Sequence, residues 1–296
     1  KILVLKSYSK RFFVLFSVFK YDKVFVEKEL FPYLPAWFEW LFKFFKINFV
    51  VDYDDAIFHN YDKHPNPFIR KYLGRKIDKV MKNSSCVIAG NSYLADRAEN
   101  AGALRVEIIP TVIDLSRYRQ FNDKKLKGKI IGWIGSPTSF IQIKRIEDVL
   151  KKIIDEFNVQ VQIVGAGVNK LGIEKGVSYF EWDEESEVSK IVNFDICIMP
   201  FSYSDWERGK CSYKLIQYMV CRKPVIASAV GMNTEVIKNG INGFLVDSKE
   251  EWYNKLSYYI LNPKIAQEHG ANGFGIVKKD FNLKIATDKL ISILKS

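Results

Sequence analysis

WERGKCSYKLIQYMVCRKPVIASAVGMNTEVIKNGINGFLV, residues Trp206–Val246, alternates loop, helix and strand in the order a parallel α/β sheet requires. A glycine-containing loop, Arg208-Gly209-Lys210, leads into a helix starting near Cys211–Ser212. The strand Pro224–Ala227 follows, and a second loop, Ser228–Asn233, opens another helix. In a parallel sheet both loops fall at the carboxyl edge, where unpaired N–H groups and the positive ends of two helix dipoles form an anion pocket. Lys210 and Lys214 stand four residues apart, so both can reach one side of the helix mouth, and Ser212 can cap it. The set suits a diphosphate. Two lysines on a helix otherwise describe only a solvated face, and the glycine loop is what favours the phosphate reading.

The same alternation runs outward in both directions. Short apolar runs at Lys23–Val26, Phe49–Asp52, Cys86–Ala89, Val106–Ile109, Lys129–Ile134, Val159–Val164, Asp195–Met199, Pro224–Ala227 and Gly243–Val246 predict strands. Between them lie helix-period stretches such as 66–82, 140–154, 211–221 and 249–260. Continuous Val/Ile/Leu runs separated by helices mean parallel sheets covered on both faces. No repeat of fixed period is present, which excludes a solenoid. The polar stretch Pro110–Gly128 (PTVIDLSRYRQFNDKKLKG) reads as a linker. The expectation is therefore α/β with two Rossmann-like parallel-sheet domains, 1–124 and 125–280, and a C-terminal helix, 281–296, crossing back to the first domain. A nucleotide-type α/β domain should open with a strand and a Gly-rich turn. Here Lys1–Leu5 runs straight into Ser7–Lys20 with no glycine before Gly74, so the first domain reads as incomplete, with residues before Lys1 missing.

Composition narrows the function classes. The 296 residues hold 45 Lys and Arg against 34 Asp and Glu, a net charge of +11. The apolar share of 48% and aromatic share of 15% exclude a disordered or fibrous chain. The apolar run Phe12–Phe19 is far shorter than the ~20 residues a membrane-spanning helix needs. With no signal-peptide cleavage site after it, an integral or secreted protein is disfavoured. Cys86, Cys197, Cys211 and Cys221 form no CxxC pair, and only His59, His64 and His269 are present, so no metal site and no cofactor are expected and a reducing cytoplasm fits. The basic residues are dispersed and no nucleic-acid-binding signature occurs, which makes a charged surface the better reading than a nucleic-acid binder. Along Lys6–Lys20 and Pro35–Lys46, aromatic and leucine side chains interleave with Lys6, Lys10, Arg11, Lys20, Lys43 and Lys46. Such segments either lie in an anionic membrane interface or cover a sheet as ordinary amphipathic helices.

The stretch Tyr218–Val230 (YMVCRKPVIASAV), Gly231, Glu235-Val236-Ile237 and Asn239–Val246 (NGINGFLV) together resemble the family 4 (group 1) glycosyltransferases. Ala89–Ala98 (AGNSYLADRA), Ile108–Tyr118 (IIPTVIDLSRY) and the run from Phe180 to Pro200 extend the resemblance over roughly residues 85–260, and Val51–Phe58 (VDYDDAIF) has a counterpart in one bacterial subgroup. The resemblance implies a GT-B fold, two Rossmann-like domains facing across a cleft. It further implies retaining transfer of a sugar from a UDP- or GDP-sugar to a glycan or lipid-linked acceptor in cell-surface polysaccharide synthesis, cytoplasmic or peripheral at the inner face of the membrane. The donor would sit mainly on the C-terminal domain, and lysines and helix N–H groups rather than a divalent metal would stabilise the leaving diphosphate.

Two departures stand out. The family's pair of glutamates, eight positions apart, falls on Gly209 and Gln217, with Glu207 as a substitute two residues earlier. Gln217 can hydrogen-bond ribose hydroxyls. The family's phosphate-binding turn falls on Gly135-Ser136-Pro137-Thr138-Ser139, a small hydroxyl-rich turn that can bind phosphate through N–H groups. Diphosphate charge then rests on Lys210 and Lys214. A non-catalytic nucleotide-sugar-binding scaffold of the same fold is the alternative these departures leave open. Trp182 occupies the place where relatives hold the base, for stacking or for core packing.

Asp52, Asp54 and Asp55 follow an apolar strand at the ligand-binding edge of the first sheet. Carboxylates there must be solvated, paired or functional. Asp54 or Asp55 could take or orient the acceptor hydroxyl's proton, or else cap a helix or pair with Arg70 or Arg75. His59 and His64 read as solvent-exposed. The glycines of VGAGVNKLG (Val164–Gly172) mimic a dinucleotide motif, but its sixth position is Lys170 and a tight turn explains them.

Overall fold

The computed structural model describes residues 2–118 and 126–295, with the backbone alone for 2–5. Lys1 and 119–125, the middle of the expected linker, lie outside the described residues. The described chain divides into two compact α/β units. The first takes the chain as far as Thr111, then Arg208–Cys211, then Ala286 onward; the second takes Val112–Glu207 and Ser212–Ile285.

In the first unit the elements run α1 (Ile2–Leu15), β1 (Val24–Glu27), α2 (Trp37–Phe44), β2 (Phe49–Tyr53), α3 (His59–Asp62), α4 (Pro67–Leu73), α5 (Lys76–Asn83), β3 (Cys86–Ala89), α6 (Ser92–Asn100) and β4 (Val106–Ile108). The four strands form one parallel sheet in the order β1-β2-β3-β4. Val50, Val51 and Tyr53 of β2 and Val87 and Ile88 of β3 are buried, as central strands covered on both faces must be. Ile2–Leu5 supplies no strand, because Ile2 already begins α1. The predicted helix 66–82 is two helices, broken at Gly74-Arg75.

The second unit contains β5 (Ile130–Ile134), α7 (Phe140–Lys144), α8 (Glu147–Phe157), β6 (Gln160–Val164), β7 (Val177–Phe180), α9 (Glu187–Asn193), β8 (Ile196–Met199), α10 (Asp205–Arg208), α11 (Tyr213–Val220), β9 (Val225–Ser228), α12 (Asn233–Val236), β10 (Phe244–Val246), α13 (Lys249–Leu261) and α14 (Pro263–Asp280). Its six strands are parallel in the order β10-β9-β8-β5-β6-β7. The core packs Ile131, Ile163, Ile196, Ile198 and Ile226 of the sheet against Leu150, Ile153, Leu256 and Tyr259 of α8 and α13. β6 lies on one side of β5 and β8 on the other, so the loops leaving β5 and β8 diverge. This topological switch point is where open α/β sheets bind ligands. The last helix, α15 (Leu283–Lys295), begins in the second unit, and its Ile293 joins Val50, Cys86 and Ile88 in the core of the first.

Candidate functional site

At the carboxyl edge of the six-stranded sheet, the loop after β5 carries Gly135 and Ser136. A Cβ at position 135 would run into the Trp133 ring and Ser139 Oγ, so only glycine lets this loop turn so close to the strand. Ser136 N donates to Ser139 Oγ at 2.8 Å, which folds the hydroxyl-rich turn on itself. The Lys214 ammonium lies 3.4 Å from Ser139 Oγ and 5.2 Å from the centroid of the Trp133 ring. A single cation from the first turn of α11 is thus held beside the β5 loop. α11 opens at Tyr213, one residue later than expected, and Ser212 precedes it in the left-handed region (φ 51°) with no side-chain cap. The expected Ser212 cap is therefore absent. Its buried hydroxyl donates to Asn233 Oδ1 at 2.7 Å, which joins the loops after β8 and β9.

On the other side of the same edge, Trp182 follows β7 with its ring half exposed (49%). Its indole N–H donates to Glu187 Oε2 at 2.6 Å. Gln217, one turn beyond Lys214 on α11, donates from Nε2 to Glu187 Oε1. Glu187, the first residue of α9, escaped the sequence reading, although an acidic residue beside Val188 and four before Ile191 on an otherwise apolar helix face was a visible signal. Glu207 accepts from Gln142 Nε2 at 2.8 Å and from Ser204 Oγ, both in its own unit. A cavity of 410 Å³ beyond β8, β9 and β10, lined by Arg145, Tyr203, Asp247 and Trp252, contains none of the predicted site residues.

In the first unit the loop after β2 gathers the three carboxylates. Asp54 pairs with Lys28 at 2.8 Å, and Asp55 pairs with Lys210 at 2.8 Å. The expected partners are corrected: Arg70 binds the carbonyls of His64 and Pro65, and Arg75 pairs with Asp78. Asp52 stands apart. Burial first, then repulsion from Asp54 and Glu27, pushes its pKa up to about 6, against a lowering by Lys28.

Residues 208–211 dock on this loop. Asn91 Nδ2 donates to the Lys210 carbonyl at 3.1 Å, Cys211 Sγ lies 3.0 Å from the Asp54 carbonyl, and Arg208 stacks 4.5 Å over the Tyr93 ring. A Cβ at Gly209 would collide with Ala56 Cβ and crowd its backbone N and Cα. Tight packing explains the departure at this position, because no glutamate fits there. Lys210 and Lys214 are not helical neighbours either, since Lys210 precedes α11 and belongs to the first unit. Burial of Cys211 pushes its thiol up to about 12, which keeps it protonated and unreactive at neutral pH.

His59 is not solvent-exposed. Its side chain is 7% accessible, with Nδ1 2.8 Å from Asp62 Oδ1 and Nε2 2.9 Å from the Tyr93 hydroxyl. Asp62 and Asp78 are in turn held by Arg97, so the imidazole is anchored in a network that sequence spacing did not reveal. Among the described residues, no group of three or more His, Cys, Asp or Glu is placed to hold a metal ion.

α1 and α2 share an uncovered aromatic surface. Phe12 packs on Phe38 and Phe19 on Phe45, and Trp40 stacks on Phe44. Phe13, Phe16, Phe19, Trp37, Trp40, Phe44 and Phe45 are all exposed. Lys6, Lys10, Arg11, Lys20, Lys43 and Lys46 are exposed around them, whereas Glu39 of α2 is buried and accepts from Leu30 N. No helix among the described residues is long and apolar enough to cross a membrane.

Residues 128–262 match the family model described as glycosyl transferases group 1. An uncharacterised glycosyltransferase of Methanocaldococcus jannaschii is 24% identical over 261 residues, covering 79% of this chain and 61% of that protein's length. The chain thus spans about three-fifths of this relative. HepE of Anabaena, solved in complex with UDP, superposes with a TM-score of 0.74 at 16% identity, covering 96% of this chain and 81% of its own. Sucrose-phosphate synthase of Thermosynechococcus elongatus gives 0.71 at 15% identity, covering 96% and 75% respectively. These structures are GT-B glycosyltransferases, and the likeness establishes that fold for the two parallel-sheet units.

Proposed function

Residues 128–262 match the glycosyl transferases group 1 model, and on that premise we propose that the chain is a member that transfers a sugar from a UDP- or GDP-sugar to a glycan or lipid-linked acceptor in cell-surface polysaccharide synthesis. The observation that carries this reading is the Lys214 ammonium, held beside the Ser136–Ser139 turn at the switch point of the six-stranded sheet. Gly135 and Ser136 border the diphosphate, Trp182 stacks on the base, and Gln217 takes a hydroxyl of the nucleoside. As the acceptor oxygen bonds to the anomeric carbon, the bond to phosphate breaks and its electron pair leaves on the diphosphate. Lys214 and the N–H groups of α11 stabilise that charge without a metal. Asp54 or Asp55 orients the acceptor hydroxyl and receives its proton, with retention at the anomeric carbon. The similarity to HepE, which was solved with UDP, supports a nucleoside diphosphate as the donor's leaving part.

Thermal stabilisation across a panel of nucleotides tests the reading. A nucleoside diphosphate at a hundredfold excess over its Kd adds ~2.7 kcal/mol of stability, while no response to any of them removes the donor site. One observation favours a second reading, a non-catalytic nucleotide-sugar-binding scaffold: the position of the family's first glutamate is closed by Gly209 against Ala56. Turnover of radiolabelled donor, with hydrolysis counted, separates a transferase from a scaffold.

The aromatic, lysine-rimmed face of α1 and α2 fits peripheral attachment to an anionic bilayer at the cytoplasmic side, where a lipid-linked acceptor would be presented. Sedimentation with phosphatidylglycerol vesicles, but not with phosphatidylcholine vesicles, is the expected result. Equal sedimentation with both, or with neither, refutes this attachment.

A further inference from the structure

Glu187 accepts hydrogen bonds from two side chains on different elements, the Trp182 indole N–H after β7 and the Gln217 amide on α11. A carboxylate only accepts, so the Gln217 amide must turn its Nε2 toward Glu187. Its Oε1 is then fixed as the outward-facing atom of a side chain that is 4% exposed, and no described group donates to it. An amide free to rotate presents either edge; this one keeps its Nε2 on Glu187 and its Oε1 on the opposite edge. The same carboxylate fixes the plane of the Trp182 indole, whose ring is half exposed. An oriented aromatic face together with an unfilled acceptor fits a planar base that carries a hydroxylated sugar.

We infer that Glu187 is a positioning residue for the nucleoside half of the donor, making Gln217 a carboxylate-like acceptor for a ribose hydroxyl. The inference rests on the nucleotide-sugar reading above. It means that the negative charge missing from α11 at position 217 is supplied by α9 instead, one residue removed from the ligand.

Calorimetric titration of the intact chain with UDP, GDP and their 2′-deoxy and 3′-deoxy analogues tests the inference. For whichever of UDP or GDP binds, removal of one of the two hydroxyls should weaken binding about tenfold, the loss of one neutral hydrogen bond. In Glu187→Gln the partner side chain offers both a donor and an acceptor, so Gln217 can present either edge. The discrimination should then fall below about threefold. The exchanged variant Glu187→Gln/Gln217→Glu returns a fixed acceptor to position 217 and should restore it. A merely structural Glu187 would lower the melting temperature of both variants and leave the ratio unchanged. Failure to bind UDP or GDP at all removes the donor reading and this inference together. Binding by the parent without preference for either hydroxyl, an unchanged ratio in Glu187→Gln, or a folded exchanged variant with no restored ratio overturns the inference alone.

Discussion

Replacing Lys214 by alanine removes an ammonium that the structure places beside the β5 loop, 3.4 Å from Ser139 Oγ. A full charge 4 Å from a phosphate oxygen is worth at most about 4 kcal/mol at the effective dielectric of a half-buried protein site. Lys214 is partly solvated, so the net value falls in the range of a charge-assisted hydrogen bond, about 1.5–3 kcal/mol. At 1.4 kcal/mol per decade, the Kd for UDP should rise about 10- to 150-fold. Uridine has no phosphate and should bind the variant as it binds the parent. Loss of the cation over Trp133 removes about 0.5–1 kcal/mol of stability, and a thermal melt of Lys214→Ala checks that it remains folded at room temperature. Calorimetry with UDP and uridine, on parent, Lys214→Ala and Lys214→Arg, provides the comparison. The arginine variant should retain most of the affinity. An alanine variant that binds UDP within threefold of the parent, or loses uridine equally, refutes the diphosphate assignment.

Gly209→Ala should destabilise the first unit by about 1–3 kcal/mol through overpacking against Ala56, and Gly209→Glu should do so at least as much without raising turnover. A thermal melt of Gly209→Ala matching the parent would show that the contact is loose. Lys76→Ala leaves Glu29 buried without its cation and should lose about 3–5 kcal/mol in urea unfolding, whereas Lys76→Met/Glu29→Gln should lose far less. Asp52 supplies a pH dependence. Its carboxyl rises from an ordinary value of 3.8 to about 6 on folding, so protonation favours the folded state. The stabilisation is complete below pH 3.8 and is lost as pH rises through 6. Asp52→Asn should therefore melt higher than the parent at pH 8, by up to about 3 kcal/mol, with the gap closing toward pH 4. A gap that does not change with pH would contradict the assigned burial.

Both parallel sheets and most of their strand positions were legible in the sequence because strand and helix periodicities are local. An unbroken run such as Ile130–Ile134 has no polar face to expose, so it must lie between two helical layers. The place of Lys214 in the first turn of a helix after a glycine loop was equally readable, since it needs only local geometry. The family resemblance read in Tyr218–Val246 lies within residues 128–262, which match the glycosyl transferases group 1 model.

Partner choice was not local, and there the tertiary structure decided. Asp55 and Lys210 lie 155 residues apart, and nothing in either segment prefers this pairing to Arg70 or Arg75. Glu187 meets Gln217 across 30 residues because α9 and α11 pack on one sheet, and only that packing fixes which edge of the amide is left for a ligand. Gly209 reads from the sequence as a lost glutamate, whereas Ala56 of a distant segment fills the space its Cβ would need. His59 looked exposed because a polar residue in a proline-containing loop usually is, and its burial depends on Tyr93 of α6 arriving from another strand-helix turn. Periodicity specifies which face of an element is buried, but which charged side chains then meet depends on strand order and register, and these follow from the packing of the whole sheet.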